Sequence, residues 1–387
     1  MKRFVLIPGI LLSLIWLALC AAPAVDEARA PAVKLGKGDP FWHPMALFLA
    51  GMPLPEGTEI KALETSPLYQ NHVRAMDGFW AQVRTKNIRE IKPWRAQVLP
   101  EKRTNTVLYP LSGADFVNAH AFFPDARRYV MIALESPGKA PDPRSLSPRQ
   151  LAIGLSAVRQ VIASIASRNY LYSASMRQYM RGVYPYSGTL PVLLLFNARL
   201  GHTILGVDPV GLDRSGDVFV RADDPTRPVA VQGMRIRFSV PGESSAREIL
   251  YWNIALGNGA VHPATASGRY LRSLQNTSVI MKAAIYLLHR PDMNLVREWL
   301  LESADLVLQG DSGLPYRAFD QQRWKVELYG NYVTAAYFPG IGLNHQRDLA
   351  AAYVFERKPL YFHYGYGLLT RARTSNIQIA RKLPGGK

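Results

Sequence analysis

Ser112, Asp115, Asn118, His120 and Glu135 lie close together in the chain and hold the parts of an acyl-transfer site. A serine hydroxyl becomes a nucleophile when a base takes its proton, and a carboxylate that orients the base completes the set. Ser112 as nucleophile, His120 as base and Asp115, or Asp208 from further along, as the orienting acid would make a hydrolase. The spacing of Ser112 and Asp115 is also that of a helix cap, and a histidine among apolar residues serves equally as a packing group, so a structural reading covers the same positions. A second group, Asp311, Ser312, Tyr316 and Arg317, with Tyr329 and Tyr332 downstream, sets an arginine among aromatic rings. That combination suits anionic or sugar-like ligands. Asn118, Glu135, Asp311, Ser312, Tyr316 and Arg317 are therefore the candidate ligand-binding residues of one shared pocket.

The elements that must position these residues follow from the apolar pattern. Thr106 to Tyr109 reads as a strand, the Pro110 to Gly113 turn leads to a helix capped by Ser112 and carrying Phe116, Val117 and His120, and Tyr129 to Leu134 reads as a second strand. The polar candidates then sit at element ends, where a layered α/β fold opens a crevice. Upstream, Ser66-Pro67 starts a helix that Pro93 stops; downstream, Ser147-Pro148 starts a helix with Leu151, Leu155, Val158, Ile162 and Ile165 on one stripe. The aromatic run Tyr170, Tyr172, Tyr179, Tyr184 and Tyr186 reads as core padding. Leu190 to Leu195 is a buried helix, His202 to Val207 a core strand, and Met234 to Val240 with Glu248 to Leu256 an antiparallel hairpin. Helices are expected at 273–289, 293–305 and 346–355, and strands at 306–309, 325–329 and 360–364. The fold class is mixed α/β, a Rossmann-like layered sheet flanked by helices. One main domain spans 61–381, after an extended arm at 23–60 with one docked apolar segment, and before a disordered tail at 382–387.

Lys2 and Arg3, the apolar run Phe4 to Leu19 and the small residues Cys20 to Ala24 follow the order of a secretory signal, giving a signal peptide at 1–22 with cleavage after Ala22 or Ala24. Leu17-Ala18-Leu19-Cys20 resembles a bacterial lipobox, but Leu19 stands where a small residue is usual, so cleavage is favoured over lipid anchoring at Cys20. Cys20 is the one cysteine, so a chain cleaved after it has no disulfide, thiol nucleophile or Cys-ligated zinc. The formal charge is +17, scattered in singles and pairs with no basic run, which argues against nucleic acid as partner. For an exported chain such a surface points to anionic lipid, lipopolysaccharide or acidic polysaccharide, with peripheral membrane association. The eight histidines are dispersed, with no pair at His-x-x-x-His spacing, so no metal is expected.

Gly310-Asp311-Ser312-Gly313-Leu314-Pro315 resembles the nucleophile motif of trypsin-like proteases, but Leu314 replaces a glycine and no histidine motif precedes it. Gly113 and Glu135 resemble the glycine and ribose-binding acid of nucleotide-binding Rossmann folds; the rest of the glycine fingerprint is missing, so no cofactor is expected. Tyr109-Pro110-Leu111-Ser112-Gly113-Ala114-Asp115-Phe116, Ala121-Phe122-Phe123-Pro124 and Asp311-Ser312-Gly313-Leu314-Pro315-Tyr316-Arg317, with Tyr329-Gly330, together resemble a group of exported bacterial proteins of unknown function, over about residues 65 to 380. The resemblance implies export and a single α/β unit, and carries no catalytic assignment. The leading expectation is an exported envelope or periplasmic protein that binds an anionic envelope component, with a hydrolase using Ser112 and His120 as the alternative.

Overall fold

The computed structural model describes residues 38–99, 105–168, 180–366 and 375–385. The expected signal, its cleavage sites and Cys20, together with Tyr170, Tyr172 and Tyr179, lie outside them. Ten strands form one sheet in the order β4 (Val218–Val220), β3 (Thr203–Leu212), β5 (Val231–Ser239), β6 (Arg247–Asn253), β2 (Arg128–Ala133), β1 (Thr106–Pro110), β7 (Thr277–Met281), β8 (Ala304–Gln309), β12 (Asn376–Lys382) and β9 (Trp324–Gly330). Tyr337–Phe338 and Gly342–Leu343, strands β10 and β11, make a separate hairpin. The five central strands, β6, β2, β1, β7 and β8, are mutually parallel. Numbered along the chain among themselves they run 3-2-1-4-5, the order of a doubly wound α/β sheet, so the topological switch point falls between β1 and β7. The sheet is antiparallel at both flanks, through β3–β5–β6 on one side and β8–β12–β9 on the other.

Alternate residues of the parallel strands enter two cores. Val107, Tyr109, Tyr129, Met131, Ile280, Leu306 and Leu308 face α1 (Trp42–Ala50), α2 (Pro67–Val83), α3 (Arg89–Val98), α4 (Phe116–Phe122), α5 (Pro148–Arg168) and α6 (Leu190–Arg199). Leu108, Val130, Ile132, Val279, Met281 and Val307 face α7 (Ala266–Ser273) and α8 (Asn294–Ser303). With both faces covered, the strands carry runs of consecutive apolar residues, such as Tyr129 to Ala133 and Ile249 to Trp252, rather than an alternation. The mixed α/β class and the single main domain expected from the sequence are what the molecule has.

Several boundaries differ from the sequence reading. Of the expected arm, residues 38–60 are described: its apolar segment docks as expected, as the helix α1 with Met45, Ala46, Phe48, Leu49 and Ala50 buried, but the rest is not merely extended, since Leu54 and Ile60 are also buried and the Asp39 amide donates to the Ile204 carbonyl at 2.8 Å. Pro93 lies inside α3 and does not stop it. Trp94, edge-on to Phe122, Tyr329 and Phe362, anchors that turn, and burial of so large a ring offsets the roughly 3 kcal/mol that an interior proline costs. The expected helix at 273–289 is β7 followed by an irregular loop. Asp208-Pro209 lies within β3 rather than at its end, residues 360–364 form no strand, and Lys382 belongs to β12 rather than to a tail. Ser147 does cap α5, in a reciprocal pair with Gln150: its amide donates to Oε1 at 2.9 Å and its Oγ accepts from the Gln150 amide at 3.3 Å.

Candidate functional site

β1 ends at Pro110, and Leu111, at φ 58, turns the chain through the left-handed region. Asp115 stands at the start of α4 without capping it, and its carboxylate is taken up by three donors. Tyr109 Oη donates to Oδ2 at 3.0 Å, Asn118 Nδ2 to Oδ1 at 2.7 Å, and Lys282 Nζ to Oδ2 at 3.4 Å. Lys282 is the first residue beyond β7 and is fully buried; desolvation draws its ammonium below the ordinary lysine range, against the pull of Asp115. A buried ion pair thus occupies the switch-point crevice.

The turn after β8 joins the same layer of polar residues. Asp311 accepts from Tyr286 Oη and, at 3.0 Å, from Asn376 Nδ2, while its amide donates to Asn376 Oδ1 at 2.8 Å. Burial raises the Asp311 carboxyl above the usual range. Ser312 Oγ accepts from the Ala284 amide at 3.2 Å, and its carbonyl accepts from the Tyr286 amide at 3.2 Å. These bonds hold Ile285 and Tyr286, both at φ 53, in a conformation that costs about 1–3 kcal/mol per residue outside glycine. Gln309 closes the turn across Leu314, with Nε2 to the carbonyl and Oε1 from the amide, both at 2.8 Å. A Cβ at Gly313 would come within 2.4 Å of Gln309 Oε1 and crowd the side chain that makes these two bonds.

The two motif turns lie at the carboxyl ends of β1 and β8 and are each bonded to the β7 loop between them. Ser112, Asp115, Asn118, Asp311 and Ser312 are all buried. Ser112 caps nothing: its Oγ lies 3.0 Å from the Gly113 carbonyl and 3.3 Å from that of Ile132. His120 packs instead against His202, Phe116 and Tyr129, and burial lowers its pKa to about 4. No hydrogen bond joins Ser112 to His120 among the described residues, and Asp208 sits on β3, four strands from β1, paired with Arg235 and Arg237. Glu135 is half-buried beyond β2, Tyr316 is half-buried with its amide donated to Gln346 Oε1 at 2.7 Å, and Arg317 is exposed. Among the described residues no group of three His, Cys, Asp or Glu side chains is placed to hold a metal ion.

The chain matches no family model, no curated protein and no solved structure.

An open groove of about 540 Å³ lies elsewhere, where the segment after α9 (Arg347–Glu356) runs beside the end of β9. Gly330, Asn331, Arg357 to His363 and Ser375 line it. Its floor is fixed by backbone bonds: the Gly330 amide donates to the Lys358 carbonyl at 2.8 Å, the Lys358 amide to that of Leu328 at 2.8 Å, and the Asn331 amide to that of Ser375 at 2.9 Å. Gly330 must be glycine, since its φ is 90 and a Cβ would lie 2.1 Å from the Ser375 carbonyl. Lys358 pairs with Glu327 and rests 5.3 Å from the centre of the Tyr329 ring; Arg357 donates to Asn331 Oδ1 at 2.9 Å, and Tyr361 is 78% exposed. Sequence reasoning missed this groove, although an Arg-Lys pair followed by two aromatics was there to be read.

Proposed function

We propose that the chain is an exported, envelope-associated binding protein whose groove takes carboxylate or phosphate groups of an anionic envelope component. The observation that carries the reading is the grouping of Arg357, Lys358 and His363 with Asn331 and the exposed ring of Tyr361 around an open groove. Guanidinium and ammonium groups supply charge-assisted bonds to anions, and an exposed ring offers a face for a sugar or an apolar stem. The overall charge of +17 favours encounter with such ligands, and the likeness of the Tyr109 to Phe116 and Asp311 to Arg317 motifs to exported bacterial proteins supports the compartment. Ser112 Oγ is bonded to backbone carbonyls and His120 packs among aromatic rings, so their placement gives the hydrolase reading no nucleophile–base pair to rest on.

Titration with polygalacturonate at low ionic strength tests the reading. Arg357→Glu is expected to weaken binding roughly tenfold or more, a change of about 1.4 kcal/mol. Arg221→Glu, an equal charge change at an exposed site in the turn after β4, is expected to have a much smaller effect. Equal effects of the two variants would leave net charge, not the groove, as the explanation.

A further inference from the structure

We infer that the segment from Val354 to Tyr361 is a docking surface for an anionic phospholipid bilayer. Exposed large apolar side chains are unevenly distributed: six of the eleven among the described residues, Val333, Tyr337, Leu343, Val354, Phe355 and Tyr361, fall between 333 and 361. Phe355 is 86% exposed, Tyr361 78% and Val354 72%, while Leu349 and Tyr353 on the same helix are buried. α9 thus presents one apolar side to the core and ends with another facing solvent. Tyr337 and Leu343 are register partners in the β10–β11 hairpin, so they share one of its faces.

The cations select the occupant. Arg357 and Lys358 stand between the apolar pair Val354-Phe355 and Tyr361, and both are exposed. A second protein would bury an apolar patch against a complementary apolar face and place cations at its rim, whereas here bases are interleaved with rings. Aromatic side chains at the headgroup level, with arginine and lysine beside anionic phosphates, are the pattern of an interfacial membrane contact. The overall charge of +17 has the sign that such a surface attracts. The inference rests on the groove reading in that both use Arg357 and Lys358, but its apolar anchors, Val354 and Phe355, lie outside the groove lining.

The test uses the full chain with Cys20→Ser and a nitroxide at Glu356→Cys or, as a reference, at Val218→Cys, mixed with vesicles containing phosphatidylglycerol at low salt. The label at 356 is expected to gain lipid contact while that at 218 stays in water. Val354→Ser with Phe355→Ser should lower that contact at least tenfold and leave polygalacturonate affinity unchanged; Arg357→Glu should lower both. The inference is overturned if the chain binds vesicles with the 356 label still in water, which would assign binding to the apolar run at 4–19. It is equally overturned if the chain does not bind, or if the 356 label becomes shielded without vesicles as protein concentration rises, which would make a second copy the occupant. Normal vesicle contact with polygalacturonate binding insensitive to Arg357→Glu would refute the groove reading alone.

Discussion

Lys282→Met isolates the energetic role of the switch-point ion pair. Its ammonium lies 3.4 Å from Asp115 Oδ2 with both side chains buried. At an effective dielectric of about 20, two unit charges at that distance attract by roughly 5 kcal/mol, and removing one member of a buried pair typically costs about 3–5 kcal/mol. Lys282→Met leaves the Asp115 carboxylate with Tyr109 and Asn118 as donors, so a loss of about 3 kcal/mol is expected. Asp115→Asn removes the carboxylate charge beside the buried ammonium and should cost about 4 kcal/mol. The double variant removes both charges and should cost no more than about 2 kcal/mol, giving a coupling of at least about 5 kcal/mol. Unfolding entropy near 2.1 cal/mol/K per residue over 387 residues is about 0.8 kcal/mol/K, so each single variant should lower Tm by roughly 4–5 °C. Urea unfolding of the two single variants and the double variant completes the cycle. Single variants that each cost under about 1 kcal/mol, or costs that add, would refute the view that this pair holds the crevice closed.

His72, His120 and His289, lowered to about 4, and His202, lowered to about 3, are kept neutral chiefly by burial. The unfolded chain takes up these protons near pH 6.5 and the folded chain does not, so stability should be level above that pH. It should fall by up to about 1.4 kcal/mol per pH unit per histidine between pH 6.5 and 4, and a flat urea midpoint across that window would contradict the assignment. Tyr286→Phe removes a donor to Asp311 and the acceptor of the Ala336 amide, which lies 3.0 Å from Oη. It should destabilise by about 2–3 kcal/mol with the fold retained, as read by urea unfolding and circular dichroism. Ser112→Ala should cost about 1 kcal/mol and leave polygalacturonate affinity as it is; lost affinity would return Ser112 to the binding site.

The layered α/β class was legible because strand, turn, helix and strand at 105–138 each carry a local signal, from the apolar run at Val107 to the turn at Gly113. The centre of the site was not. β7 is five buried residues of which only Val279, Ile280 and Met281 are apolar, and periodicity does not separate so short a run from a helix; Val279, Ala283, Tyr286 and Leu287 happen to recur at helical spacing. With β7 read as helix, Lys282 had no place beside Asp115. The turn at Asp311 to Pro315 was visible as a motif, but its partners Tyr286, Gln346 and Asn376 come from three other segments, and no spacing rule links them. The groove was missed because it depends on the backbone pairing of Lys358 with the end of β9, a contact that only the fold creates.

Hydrogen exchange with and without polygalacturonate reports where on the chain an acidic ligand sits. Protection is expected at Gly330 and Asn331, across Arg357 to His363 and at Ser375, with no change at Leu111 to Asn118 or at Asp311 to Arg317. Protection at the two motif turns, with residues 357–363 unaffected, would contradict the account and restore the shared pocket.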